Sequence, residues 1–147
     1  MLNELYQDII VDHTRSPRNF GELPQATHQA EGYNPLCGDQ LKLFLIIDEN
    51  QVIKKIKFTG CGCSISTASA SLLTESVINK TVSQAEYLFK EFHAMLTSDK
   101  FDDPERLNKL AVFSGVRQYP ARVKCATLAW HTLEAALQCD KLAVSTE

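Results

Sequence analysis

Leu41-Lys42-Leu43-Phe44-Leu45-Ile46-Ile47-Asp48-Glu49-Asn50-Gln51-Val52-Ile53-Lys54-Lys55-Ile56-Lys57-Phe58-Thr59-Gly60-Cys61-Gly62-Cys63-Ser64-Ile65-Ser66 holds two kinds of periodicity and one change of character. Leu41, Leu43, Leu45 and Ile47 alternate with Lys42, Phe44 and Ile46, the two-residue period of a strand with one buried face. Asp48-Glu49-Asn50-Gln51 is a polar turn. Val52, Ile56 and Phe58 then alternate with Lys55, Lys57 and Thr59, the second arm of a hairpin whose apolar face is broken by Lys54. Gly60-Cys61-Gly62-Cys63 ends that arm. Small residues follow from Ser64 and lead into Leu72, Leu73, Val77 and Ile78. This predicts a helix over 64–79 whose first turns admit other backbone at close range.

On the N-terminal side, Leu2, Leu5, Tyr6, Ile9, Ile10 and His13 mark one face of a helix over 2–13. Ser16-Pro17-Arg18-Asn19-Phe20-Gly21 ends it in turns, and 26–34 reads as extended with a poor period. On the C-terminal side, Ser83 is the expected cap of a helix with Ala85, Leu88, Phe89, Phe92 and Met95 on its inner face. After a polar loop from Thr97 to Asp103, Asp102 or Asp103 caps a short helix with Pro104 in its first turn. Leu107, Leu110, Ala111 and Phe113 are its anchors. Ser114-Gly115-Val116 and Tyr119-Pro120 break the chain again. The last helix covers 121–138, and 140–147 is expected to fray. Strands in a run, then helices in a run, give an α+β fold.

The 147 residues fit one domain, and a chain of this length buries about 70% of its unfolded surface without staples. Fifteen basic against eighteen acidic residues leave a net charge of −3, which gives no basic footprint for nucleic acid. The first residues carry acids where a signal peptide carries bases, and the longest apolar run, Leu43–Ile47, is too short to span a bilayer. A cytoplasmic setting is expected, where thiols serve metals or catalysis rather than disulfides. Five cysteines, an odd number, agree with that.

Three of the five stand at element boundaries. Cys37 precedes the first strong strand in Asn34-Pro35-Leu36-Cys37-Gly38-Asp39, Cys63 opens a helix, and Cys125 falls on or just before the first turn of the last helix. A helix N-terminus favours a thiolate, and Arg122 and Lys124 beside Cys125 add positive charge. Asp39 offers an oxygen donor. A Cys₃Asp set suits tetrahedral zinc, or an iron–sulfur cluster with one position not held by thiolate. Read from spacing alone, three small buried hydrophobes remain an alternative, because no Cys-x-x-Cys pair is present.

The chain resembles the iron–sulfur assembly proteins of the IscU, NifU N-terminal and SufU class. The matching residues are Asp12-His13 with Pro17-Arg18-Asn19 and Gly21, Asn34-Pro35 with Cys37-Gly38-Asp39, Phe58-x-Gly60-x-Gly62-Cys63-Ser64-Ile65-Ser66 with Ala68-Ser69, and Arg122-x-Lys124-Cys125-Ala126-Thr127-Leu128-Ala129-Trp130. The resemblance implies a three-stranded antiparallel sheet packed against several helices. It implies Cys37, Asp39, Cys63 and Cys125 as ligands of Zn²⁺ or of an iron–sulfur cluster, [2Fe–2S] by type. It also implies sulfur acceptance from a cysteine desulfurase and delivery toward apo iron–sulfur proteins or a downstream scaffold. Lys124 stands where IscU proteins have His, Gln118-Tyr119-Pro120-Ala121-Arg122 matches poorly to their Leu-Pro-Pro-Val-Lys chaperone motif, and 93–113 resembles an insertion. These departures point to the SufU branch of the SUF system, with one domain over 1–147.

Two mechanisms follow from the resemblance: a scaffold that accepts sulfur and builds a cluster, or a zinc-dependent sulfurtransferase, which alone would make the chain an enzyme. A purely structural zinc module is a third reading. Cys125 is the first choice as sulfur acceptor, because Lys124 and Arg122 favour its thiolate and the preceding loop gives it reach. Asp39, a harder donor than thiolate, keeps a cluster labile. Cys61 and Cys139 are expected bystanders, and His13 and His131 structural. His28 and His93 lack ligand-like neighbours, and Lys42, Lys54, Lys55 and Lys57 read as solvated sheet positions.

Overall fold

The computed structural model describes residues 4–98, 101, 103–138 and 144–145. Helix α1 (Glu4–Arg15) leads into strands β1 (His28–Asn34), β2 (Asp39–Ile47) and β3 (Ile53–Cys61). Helices α2 (Ser64–Val77) and α3 (Val82–Thr97), a run of 3-10 turns over Pro104–Gln118, helix α4 (Pro120–Leu137) and strand β4 (Val144–Ser145) follow. The sheet order is β3-β2-β1-β4. The first three strands pair antiparallel, as expected, with Asn34 opposite Asp39 and Gln40 opposite Cys61.

Leu41, Leu43, Leu45 and Ile47 line the inner face of β2 and are buried. On β3 the inner residues are Ile53, Ile56 and Phe58. The spacing slips because the register shifts between Ile46 and Ile47: Ile46 pairs with Lys55 and Ile47 with Ile53, leaving Lys54 as the extra residue of a bulge. Lys54 therefore does not break the apolar face; the bulge carries it out to solvent, where it pairs with Asp48 at 3.9 Å.

Helices α2 and α4 cover the inner face. Helix α4 lies close enough to β1 that a Cβ on Gly32 would sit 2.1 Å from Thr132 Oγ1. The first turns of α2 bury Ser66, Ala68, Ser69, Ala70 and Ser71, as their size predicted. Trp130 of α4 stacks on Phe92 of α3 with ring centroids 4.7 Å apart. Its indole N–H donates to Ser69 Oγ, which in turn donates to the Ala126 carbonyl. Leu107, Leu110, Ala111 and Phe113 are buried anchors of the 3-10 run, which bends at Asn108 (φ 55°, ψ −128°).

Three local expectations change. The cap of α3 is Thr81, not Ser83: its hydroxyl accepts from the Gln84 N–H, and the Gln84 side chain accepts from the Thr81 N–H. The 3-10 run continues through Ser114-Gly115-Val116 and stops only at Tyr119. Val144–Ser145 forms a two-residue strand parallel to Gly32–Tyr33, where fraying was expected. Cys139 and Asp102 lie outside the described residues.

Candidate metal centre

The turn between β1 and β2 builds the first part of the site. The N–H groups of Cys37 and Gly38 both donate to the Asn34 carbonyl, at 3.2 and 2.8 Å, and Gly38 takes φ +75°. This projects Cys37 to the surface, where it is an exposed residue. Asp39 begins β2 and is fully buried. Cys63 is the N-cap of α2, and its sulfur accepts from the Ser66 N–H at 3.5 Å. Cys125 sits on α4 with no exposed surface.

These four residues converge. The sulfurs of Cys37 and Cys125 lie 3.4 Å apart. Donor atoms of Cys37, Asp39 and Cys125 all fall within 4.8 Å of one another. Cys63 Sγ is 4.0 Å from Asp39 Oδ2, and the Cys63 N–H donates to Asp39 Oδ1 at 2.8 Å. Asn34 Nδ2 donates to Asp39 Oδ2 at 3.3 Å and points at Cys125 Sγ at 3.6 Å. Gly62 is needed for room: a Cβ there would lie 2.5 Å from Asp39 Oδ1.

The electrostatics differ from the expectation for Cys125. Burial pushes its thiol well up, and its contacts with Cys37, Cys63 and Asp39 push the same way. Cys125 is also the sixth residue of α4, beyond the first turn where the helix dipole acts. Arg122 is exposed and Lys124 half-buried, and neither outweighs desolvation. A bound cation is the charge that reverses this balance, since it deprotonates a coordinating thiol. The donor set itself fits such a group: three sulfurs and one carboxylate oxygen suit zinc or an iron–sulfur cluster. Among the described residues, the buried side-chain polar atoms without a partner are Asn34 Oδ1 and Ser66 Oγ. Asn34 hydrogen-bonds to two of these four side chains, and Ser66 to one.

A family model, the NifU-like N-terminal domain, matches residues 5–126. The chain belongs to this family. It is 39% identical over 133 residues to the zinc-dependent sulfurtransferase SufU of Bacillus subtilis, covering 90% of this chain and 89% of that one. It is 40% identical over 134 residues to the iron–sulfur cluster assembly scaffold protein IscU of Thermotoga maritima, covering 91% and 93%. The crystal structure of the SUF-system protein FiSufU from Fervidobacterium islandicum superposes with a TM-score of 0.82 at 36% identity, over 88% of this chain and 94% of that one. The antiparallel part of the sheet, β1 to β3, with helices packed against it is thus the NifU-like architecture. Asn34 stands out in the sequence only as part of the motif; its position five residues before Asp39 at a hairpin end is the signal that links it to the site.

The remaining candidates separate from the site. Cys61 is exposed at the end of β3, opposite Gln40. His13 is buried between α1 and α2, its Nδ1 2.6 Å from Ser71 Oγ. His131 packs edge-on against Phe89. Among the described residues no helix is long and apolar enough to cross a membrane.

Proposed function

We propose that this chain is an iron–sulfur cluster assembly protein. It accepts sulfur from a cysteine desulfurase of the SufS type and builds it into, or passes it toward, clusters for apo-proteins. The site is Cys37, Asp39, Cys63 and Cys125. The observation that carries the reading is the convergence of Cys37 and Cys125, 88 positions apart in sequence, to 3.4 Å beside a buried carboxylate.

Cys125 is the acceptor expected from its basic neighbours; on accessibility we propose Cys37 as the first acceptor instead. A thiolate at Cys37 attacks the outer sulfur of the desulfurase persulfide. The new sulfur–sulfur bond forms on Cys37, the old one breaks, and the desulfurase cysteine leaves as thiolate. Such an attack needs an exposed sulfur, and Cys37 is exposed where Cys125 is enclosed. Asp39, held by the Cys63 N–H and the Asn34 amide, keeps an oxygen donor fixed among the sulfurs. A cation bound there supplies the charge that keeps the thiols deprotonated. We also read 93–113 as a SufU-type insertion within one domain, and a reducing cytoplasm as its setting.

The test combines metal analysis of anaerobically purified protein with a desulfurase assay and cluster transfer. The expected result is faster alanine release, dependent on Cys37, and transfer of a reconstituted cluster to an apo-acceptor. Stoichiometric zinc with faster alanine release but no cluster transfer would replace the scaffold reading by zinc-dependent sulfur transfer. Folded protein that does neither overturns both.

A further inference from the structure

Asn34 is fully buried and contacts three of the four candidate ligands: Asp39, Cys125 and the Cys37 N–H. Its carbonyl accepts the Cys37 and Gly38 N–H groups and so shapes the turn that carries Cys37. Its side-chain Nδ2 stands between Asp39 Oδ2, at 3.3 Å, and Cys125 Sγ, at 3.6 Å. Turning the amide over would set its oxygen against a carboxylate oxygen and a sulfur, so the donor must face them. The consequence is an orphan: Asn34 Oδ1 is buried with no partner, a costly state for a polar atom. A side chain kept for packing alone would be apolar at this position.

We propose that Asn34 is a positioning residue that tunes the metal site: it fixes the rotamer of Asp39 and donates an N–H to the Cys125 sulfur. The proposal rests on the four-ligand reading and adds to it. An N–H aimed at a thiolate draws charge from sulfur, which weakens its donation to a metal and makes the bond easier to exchange. Fixing Asp39 acts the other way, because a ligand already in place loses no freedom on binding. Asn34 thus gives a site that captures a cation readily while leaving the Cys125–metal bond soft.

Cobalt(II) substitution of the purified full chain separates this role from simple packing, since sulfur-to-cobalt charge transfer reports donation by the thiolates directly. In Asn34→Ala, cobalt and zinc affinity by chelator competition should fall about ten- to a hundredfold. The charge-transfer band should move to lower energy as the sulfur regains charge. Asn34→Leu fills the space without a donor, serves if the alanine variant does not fold, and should shift the band in the same direction. An unmoved band in a folded variant overturns the proposal. Wild-type protein that binds cobalt without a thiolate band overturns the four-ligand reading instead.

Discussion

Gly62→Ala is the sharpest perturbation of the site, because it changes nothing that contacts a metal. The new methyl would stand 2.5 Å from Asp39 Oδ1 and 3.0 Å from its Cβ and Cγ. Restoring ordinary contact requires about 1 Å of movement. The movement must come from Asp39 or from the Gly62–Cys63 backbone, and either separates the Cys63 N–H from Oδ1, now 2.8 Å apart. Leaving a buried donor or acceptor without its partner costs about 1–3 kcal/mol, so the chelator-treated variant should lose about that much stability. A misplaced carboxylate should also lower zinc affinity about ten- to a hundredfold. Urea unfolding followed by circular dichroism reads the first quantity and chelator competition the second. Wild-type values in both measurements would refute the claim that Gly62 is required for the approach of Asp39.

Two further outcomes are expected. Burial pushes the His13 imidazole below its ordinary 6.5, aided by Arg18 and Lys109 and opposed by Glu75 and Asp12. The unfolded chain therefore binds this proton more readily than the folded one, so stability is complete above 6.5 and is lost as pH falls toward the folded value. His131, pushed down by burial and by His93, adds the same sign. Asn in place of His13 should thus flatten, without abolishing, the fall in urea midpoint from about pH 7 to pH 5; an unchanged slope refutes the assignment. Trp130→Ala removes a ring with no exposed surface, stacked on Phe92, and should cost about 3–5 kcal/mol in urea unfolding. A loss under about 1 kcal/mol would place the core elsewhere.

The elements differ in how far they could be read along the chain, and packing explains why. Strand β2 announces itself because its inward positions carry Leu and Ile. Strand β1 alternates as regularly in the structure, but its buried positions are Ala30, Gly32 and Asn34. Helix α4 comes so near that no side chain fits at Gly32, and Asn34 serves the site. A strand selected for close approach loses the apolar alternation by which strands are recognised. The bulge at Lys54 hid itself similarly, since an extra residue imitates a broken face. The cap of α3 was missed by two residues because Thr81 and Ser83 are both good caps, and the Gln84 side chain decides between them only once it bonds back to Thr81.

The sequence by itself determined the α+β class, the hairpin, the small-residue helix behind it and, through an extended resemblance, the family and its four candidate ligands. Those depend on local periodicity and residue type, which are written along the chain. Tertiary structure decided what depends on distance and solvent. It brought Cys37 within 3.4 Å of Cys125, left the first exposed and the second enclosed, and set a glycine and an asparagine around Asp39. Desolvation is a property of the whole fold, so no reading of Arg122 and Lys124 beside Cys125 could foresee that burial would govern its thiol.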